Sequence, residues 1–582
     1  MKHFKNFIAF FLLFSVWSCV SVRVRYPMEY GPDEARWVKK TISRLTLEEK
    51  IGQMLCLGFY GNFVNRDSDT WDKYRRWVDE LKIGGLVIYS GDVYETAHMM
   101  NTLQSLADIP LLIAANLERG LGNQLDGATV FPPIMSVGAT GSDDLSYLMG
   151  KITALEARAV GIHMAYFPVV DVNINPENPI INTRSFGEKP EDVSRLAAAY
   201  IKGCQEHGLI ATAKHFPGHG DTERDSHNVL AAVQADLSRL KKVELVPFQE
   251  TIAAGVQAIM TAHIAIPAID STPNLPATLS KPNLTGLLRN EMGFNGIIVS
   301  DSMGMGGVTT LFSQDKAAVL AVQAGVDVIL LSPEPELVLK SLSDSVKKGQ
   351  IPEARIDESV TRILQAKARL GLHKTKHVDV NILDRKLATR SHLQAANRIL
   401  EESMTLVKND DAVLPLASGE KKVAVFSLSS DPGGYYAGRT FIREVKKRNT
   451  EAVEFYAEPS TGIKFLKEAV QISKEADTVL IALFSNLRSG KGSIGLNERH
   501  VKFINCIAEG KTPVVVLSFG SPYYLRHFPD VDTYLCAYRP SPQAQAAAAK
   551  AVFGEIVIQG KLPVSIPGHF PVGHGLRLKK TR

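Results

Sequence analysis

The sequence predicts an α/β protein: a (β/α)8 TIM-like barrel followed by a smaller α/β domain with an open sheet. Three observations carry this expectation. Short apolar runs alternate eight times with longer amphipathic stretches over about 300 residues, the pattern of repeated βα units. A shorter series of the same kind follows a polar stretch at 374–384. A chain of 582 residues that is 45% hydrophobic and 22% charged can bury several cores, and 44 Gly and 29 Pro make it neither collagen-like nor disordered. Eight βα units can also form an open doubly wound sheet, so closure of the barrel is an expectation for the structure to decide.

Lys2, His3 and Lys5 precede an apolar run at 8–16, too short to span a bilayer, which ends at Ser18-Cys19. This reads as an export signal over 1–18. Ser18-Cys19 resembles a bacterial lipobox, which makes Cys19 the lipidated first residue of the mature chain. The leader at 19–31 begins Val20-Ser21-Val22-Arg23-Val24-Arg25, without acidic residues, and favours anchoring toward the periplasm over the cell surface.

The barrel is expected over 32–373. Thr46-Leu47-Glu48-Glu49 is a capping box at a helix start. Strands are expected at 54–59, 85–89, 111–115, 164–170, 209–213, 258–262, 296–300 and 326–331. Helices between them include 143–159, 191–207, 237–254 and 312–324, and 356–372 closes the set. A linker at 374–391 leads to the second domain at 392–572. There, strands are expected at 423–428, 478–484, 514–518 and 534–537, and helices at 393–404, 462–475 and 543–553. A basic tail occupies 573–582. The net charge of +5 comes from 66 basic and 61 acidic residues, too balanced for a nucleic-acid binder. Cys56, Cys204, Cys506 and Cys536 lack CxxC spacing; three of them sit in apolar surroundings that suit core packing, and an exported location would also allow a Cys506–Cys536 disulfide.

Residues just past the C-terminal ends of barrel strands line the face where chemistry occurs in such folds. Here they are Asn116-Leu117-Glu118, Asp171, Lys214-His215, His263 and Asp301. The densest segment runs from Lys214-His215-Phe216-Pro217-Gly218-His219-Gly220 to Asp225-Ser226-His227. Asp225 and His227 are two apart, so an extended backbone turns both to one side. A carboxylate beside an imidazole fixes its tautomer and suits proton transfer near neutrality. A metal site or a purely structural loop would use similar residues, although HExxH is absent, and Asp301 would also serve as a helix N-cap.

The histidine loop resembles the Lys-His-Phe-Pro-Gly-His-Gly…Asp-Ser-His signature of glycoside hydrolase family 3 β-N-acetylglucosaminidases. Val299-Ser300-Asp301-Ser302-Met303 is similar to that family's nucleophile strand end, and Arg184-Ser185-Phe186-Gly187 to its sugar-binding loop. Gly560-Lys561-Leu562-Pro563-Val564-Ser565-Ile566-Pro567 is similar to its closing motif. The resemblance runs from about residue 40 to about 570. It implies a retaining hydrolase that removes terminal β-linked N-acetylglucosamine through a glycosyl-aspartate. Asp301 would be the nucleophile, and His227 the acid/base oriented by Asp225. Asn116, Glu118, Gln124, Asp171, Arg184, Lys214, His215 and His263 would surround the sugar. Two positions depart from the family pattern: Asn116 and Gln124 stand where it has Asp and Arg, which bears on glycan preference. The implied partner is an N-acetylglucosamine-containing glycan or peptidoglycan fragment. No metal or organic cofactor is implied, no nucleic acid, and no membrane contact beyond the lipid anchor. Two rival readings use the same residues: a glycoside phosphorylase, since an imidazole tolerates incoming phosphate better than a second carboxylate, and a non-catalytic glycan-binding lipoprotein. Ser489-Gly490-Lys491-Gly492-Ser493 is no P-loop, because Ser485 stands where the first Gly is required.

Overall fold

The computed structural model describes residues 30–417, 422–485 and 495–581. The export signal with Cys19, and the glycine-serine loop at 489–493, lie outside them.

Eight parallel strands form the first sheet: β1 (Leu55–Phe59), β2 (Gly85–Ile88), β3 (Leu112–Ala115), β4 (Met164–Ala165), β5 (Ile210–Phe216), β6 (Ala258–Thr261), β7 (Ile297–Val299) and β8 (Ile329–Leu330). They pair in the order 7-6-5-4-3-2-1-8. The two ends then meet. Val299 bridges Val328, the Ser300 N–H donates to the Val328 carbonyl at 3.0 Å, and the Val328 N–H donates to Ile298 at 3.1 Å. The cylinder is therefore closed, and the open doubly wound sheet is excluded. At its entry the capping box forms as expected: Thr46 Oγ1 accepts from the Glu49 N–H at 3.2 Å, and Glu49 Oε2 from the Thr46 N–H at 2.8 Å.

Three elements differ from expectation. β4 is regular for only two residues; Pro168 has no N–H for the ladder, although the Phe167 and Pro168 carbonyls still accept from the Thr212 and Lys214 N–H at 2.9 and 3.1 Å and Val169 bridges Lys214. β5 continues through Phe216, which places Lys214 and His215 on a rigid strand instead of a loop. The expected helix at 237–254 is two helices, Leu237–Lys242 and Val246–Ala253. Pro247 cannot continue a helix but fits the first turn of the next.

The second sheet contains β9 (Thr405–Asn409), β10 (Val423–Ser429), β11 (Val453–Ala457), β12 (Thr478–Phe484), β13 (Val514–Ser518) and β14 (Thr533–Cys536), in the order 9-14-13-12-10-11. All neighbours are parallel except β9 with β14. β9 and β11 are strands that the sequence pattern missed. β11 is an edge strand whose Val453 and Glu454 face solvent, so it lacks the apolar run of a buried strand.

The two domains share their interiors. Helix Arg390–Ser403 places Ala395, Ala396 and Ile399 in the barrel core and Leu400 in the second domain's core. Met135 and Ala139 of the barrel belong to the second domain's apolar cluster, with Leu562 and Val564, and the Lys561 N–H donates to the Ala139 carbonyl at 2.9 Å. The stretch between the domains lies on the barrel: Asn101 exchanges hydrogen bonds with the Val378 backbone at 2.8 and 2.9 Å. Beyond residue 573, Leu576 bridges Leu406 and Leu578 bridges Ile558, so this end packs on the second domain. Cys56, Cys204 and Cys536 are buried free thiols, while Cys506 is an exposed one.

Candidate active site

A cavity of about 530 Å³ opens at the C-terminal mouth of the barrel, and the second domain forms its far wall. Asp301 and His227 both line it, as do Asn116, Glu118, Arg184, Lys214 and His215.

Asp301 stands two residues past β7. The strand end is held by Ser300, whose buried Oγ accepts the Leu330 N–H at 2.9 Å. Asp301 Oδ1 accepts the Ser302 N–H at 2.8 Å. The Ser302 carbonyl accepts from His263 Nε2 at 2.9 Å, and His263 Nδ1 meets Thr278 Oγ1 at 2.8 Å. His263 thus clamps the peptide that follows Asp301. Burial works against ionisation of Asp301, but His215, His263, the Ser302 N–H and His227 outweigh it and hold its carboxyl below the ordinary value. Asp301 caps no helix, since the next one, Gly306–Thr309, starts after Met305.

The His227 loop is braced from within. Burial pushes His219 down to about 4, and the neutral ring bonds Thr222 Oγ1 at 2.6 Å and Ser226 Oγ at 2.8 Å. Asp225 Oδ1 accepts both the His227 N–H at 2.9 Å and the ring Nδ1–H at 2.7 Å. That bond fixes the tautomer and leaves Nε2 for proton exchange, on a side chain 35% exposed to the cavity. The loop is clipped to the chain that follows Asp301. The Gly306 N–H donates to the His227 carbonyl at 2.9 Å, and the Gly307 N–H to Ser226 at 3.1 Å. Only glycine allows this approach. A Cβ on Gly306 would collide with the Asn228 carbonyl, and one on Gly307 would lie 3.0 Å from His263 Cβ.

Opposite lies a charged wall. Arg184 grips Glu118 with two bonds, Nε to Oε2 at 2.9 Å and Nη2 to Oε1 at 2.8 Å. Lys214 Nζ reaches Glu118 Oε1 at 2.9 Å and Asn116 Oδ1 at 3.1 Å. Burial opposes the Glu118 charge, but Arg184 and Lys214 hold its carboxyl well below the usual range. The Arg184 loop leans on the second domain, where the Glu188 N–H donates to the Pro563 carbonyl at 3.0 Å. That contact places the closing motif of the sequence against the sugar-binding loop.

Three expected sugar contacts take other positions. Asp171 is fully buried, and its oxygens accept from His215 Nδ1 at 2.7 Å and from the His219 N–H at 2.6 Å. It orients His215, with no oxygen turned to the cavity. Gln124 gives its amide to the Asn116 carbonyl at 3.1 Å, and His263 sits beneath Ser302. All three support residues that line the cavity. Sequence reasoning missed Tyr89 and Arg119 on the barrel, and Phe519, Tyr538 and Arg539 from the second domain. Nothing in their sequence marks them; the structure adds that Tyr538, like the cavity-lining Leu331, has a positive φ, 60° and 55°.

Comparison with known proteins is consistent across the chain. Residues 46–366 match the glycosyl hydrolase family 3 N terminal domain, and residues 404–572 its C-terminal domain. A β-N-acetylglucosaminidase/β-glucosidase of Cellulomonas fimi is 32% identical, covering 92% of this chain and 97% of that protein. β-Hexosaminidase A of Pseudoalteromonas piscicida is 33% identical over 90% of this chain and 97% of its own length. Among solved structures, a glycoside hydrolase family 3 β-N-acetylglucosaminidase from Paenibacillus superposes with a TM-score of 0.78 at 31% identity, covering 90% of this chain and 99% of that one. A β-glucoside phosphorylase, BglX, superposes with a TM-score of 0.82 at 28% identity, covering 94% and 99%.

Proposed function

The chain belongs to glycoside hydrolase family 3 and is a glycosidase, and from this premise we propose that it releases terminal β-linked N-acetylglucosamine with retention of configuration. The observation that carries the proposal is the shared cavity: a carboxylate held ionised, Asp301, and an imidazole with a fixed tautomer, His227, open onto one space. Asp301 attacks the anomeric carbon while His227 Nε2–H protonates the departing oxygen, which gives a glycosyl-aspartate and the free aglycone. His227, now neutral, then takes a proton from water as the water displaces Asp301, which restores both groups. Asp225 keeps the imidazole oriented through both steps and balances its positive charge. Arg184, Lys214 and His215 supply donors to sugar hydroxyls, and Asn116 replaces the family's carboxylate there with a neutral amide.

The test is a panel of aryl β-glycosides, N-acetylated and not, with phosphate present and absent. Turnover of the N-acetylglucosaminide to free sugar, abolished by Asp301→Asn, is the expected result; undiminished turnover in that variant overturns the assignment. Phosphorolysis is the second reading, motivated by the structural likeness to a β-glucoside phosphorylase and by the imidazole acid/base. Its mark is sugar 1-phosphate formed only with phosphate. The basic and apolar leader ending at Cys19 supports export as a lipoprotein, and the acid-free Val20-Ser21-Val22-Arg23-Val24-Arg25 after it supports a periplasm-facing anchor. Release of the protein from the membrane fraction by Cys19→Ala is the expected outcome there.

A further inference from the structure

Two arginines line the cavity without a carboxylate of their own. Arg119 follows Glu118 on the loop after β3, and Arg539 enters from the second domain directly after Tyr538. Glu118 acts on Arg119 only through space, because both of its oxygens already bond Arg184 and one also bonds Lys214. Among the described residues, Arg119 Nε donates to Asn123 Oδ1 at 2.7 Å and Arg539 Nη1 donates to the Phe131 carbonyl, both neutral acceptors. Phe131 ties the two together, since its N–H donates to the Arg119 carbonyl at 2.9 Å. Burial, and then the neighbouring Arg119 charge, pulls Arg539 down to about 9.

Arg539 is half-buried and Arg119 exposed; solvent weakens the repulsion between their like charges without removing it, and an anion between them would offset it. The remaining charges do not supply one. Among the described residues, the side chains that open onto the cavity include Arg119, Arg184, Lys214 and Arg539 against Glu118 and Asp301, while the ionised Asp171 behind them is engaged by His215 and His219 and supports Arg184. Asn116 deepens the imbalance, because it is neutral where the resemblance expects a carboxylate. A neutral sugar gains nothing from the excess, whereas two guanidinium forks match the oxygens of a carboxylate, sulfate or phosphate. Among the described residues, neither arginine is hydrogen-bonded to Asp301 or His227, which bond Ser302 and Asp225 instead.

We propose that Arg119 and Arg539 form an oxyanion-binding site at the domain junction, filled by a carboxylate, sulfate or phosphate group on the saccharide or by free phosphate. This deepens the glycosidase reading and depends on it for the kinetic measurement. With the full chain, kcat/KM is compared for 4-nitrophenyl N-acetyl-β-D-glucosaminide and its 6-sulfate. A second pair of probes is a β-N-acetylglucosaminyl disaccharide with a carboxylate on its reducing sugar and the methyl ester of that disaccharide. A third arm measures the neutral aryl glycoside with and without inorganic phosphate. The expected result is a charged-to-neutral preference of about tenfold or more in at least one arm. That preference should fall about tenfold in Arg119→Gln and in Arg539→Gln, and Arg539→Lys should retain part of it. Preference in the sulfate or ester pair places the anion on the saccharide, while preference only in the third arm, with sugar 1-phosphate, identifies free phosphate. Ratios at or below one in every arm overturn the proposal. So do equal losses on charged and neutral probes, which would make Arg539 a mere tie to Phe131. If the neutral glycoside is not turned over at all, the glycosidase reading is what fails. Calorimetric binding of the 6-sulfate and of phosphate to wild type and Arg539→Gln then decides the oxyanion site by itself.

Discussion

Replacing Asp225 with Asn tests the proton-transfer pair while leaving its shape intact. In the native chain one buried carboxylate oxygen accepts both the backbone N–H and the ring Nδ1–H of His227, at 2.9 and 2.7 Å. The Asn oxygen can accept the same two bonds, so the loop should stay in place. What disappears is a negative charge against the imidazolium, on a side chain only 1% exposed. A hydrogen bond to a charged group contributes about 1.5–3 kcal/mol, so the acid form of His227 loses support equivalent to a factor of about 10–150. That loss should appear only where the leaving oxygen needs a proton. For an N-acetylglucosaminyl disaccharide, kcat/KM of Asp225→Asn is expected to fall by about that factor. For a 2,4-dinitrophenyl glycoside, whose leaving group departs unaided, it should fall less than about threefold, because kcat/KM reports the first bond-breaking step. Steady-state kinetics on the two substrates, with thermal unfolding to verify the fold, provides the comparison. Equal losses on both would refute proton transfer through this pair.

Three further outcomes follow from the same geometry. Gly306→Ala should push the His227 loop off its clip, lowering activity on poor leaving groups by about tenfold or more; the overpacking should cost roughly 1–3 kcal/mol in denaturant unfolding. Arg184→Gln leaves Glu118 held by Lys214 alone, so stability should fall by up to about 3 kcal/mol, the low end for breaking a buried pair, and KM should rise. The third concerns acid. The folded His219 is held near 4, below its ordinary 6.5, so the unfolded chain takes up that proton first as pH falls. Stability is therefore full above pH 6.5 and declines toward pH 4, by about 3 kcal/mol for this group. Urea midpoints across that range should show a shallower decline in His219→Asn, and an identical slope would exclude His219 as the source.

The barrel was legible because each βα unit declares itself locally, in a run of apolar residues followed by an amphipathic stretch. The His227 pair was legible from its spacing, but a turn and not the expected extended backbone joins it, since the Asn228 N–H donates to the Asp225 carbonyl at 3.1 Å. Asp301 could be placed because its position past a strand end specifies the face it serves. The far wall was not legible. No local signal in Phe519, Tyr538 or Arg539 says that these loops meet the barrel mouth; that follows from how two domains pack. The misassigned residues share a different cause. Asp171, Gln124 and His263 have the polarity of ligand contacts, and only three-dimensional hydrogen bonding shows that their polar atoms are already engaged.

Helix Arg390–Ser403 lends side chains to two interiors at once. Neither domain can melt without stripping cover from the other, so heat should dissolve them in a single cooperative event. The pocket should vanish in that same event, because its walls belong to both halves. A cut between the halves would then leave two sticky fragments in place of a smaller working enzyme.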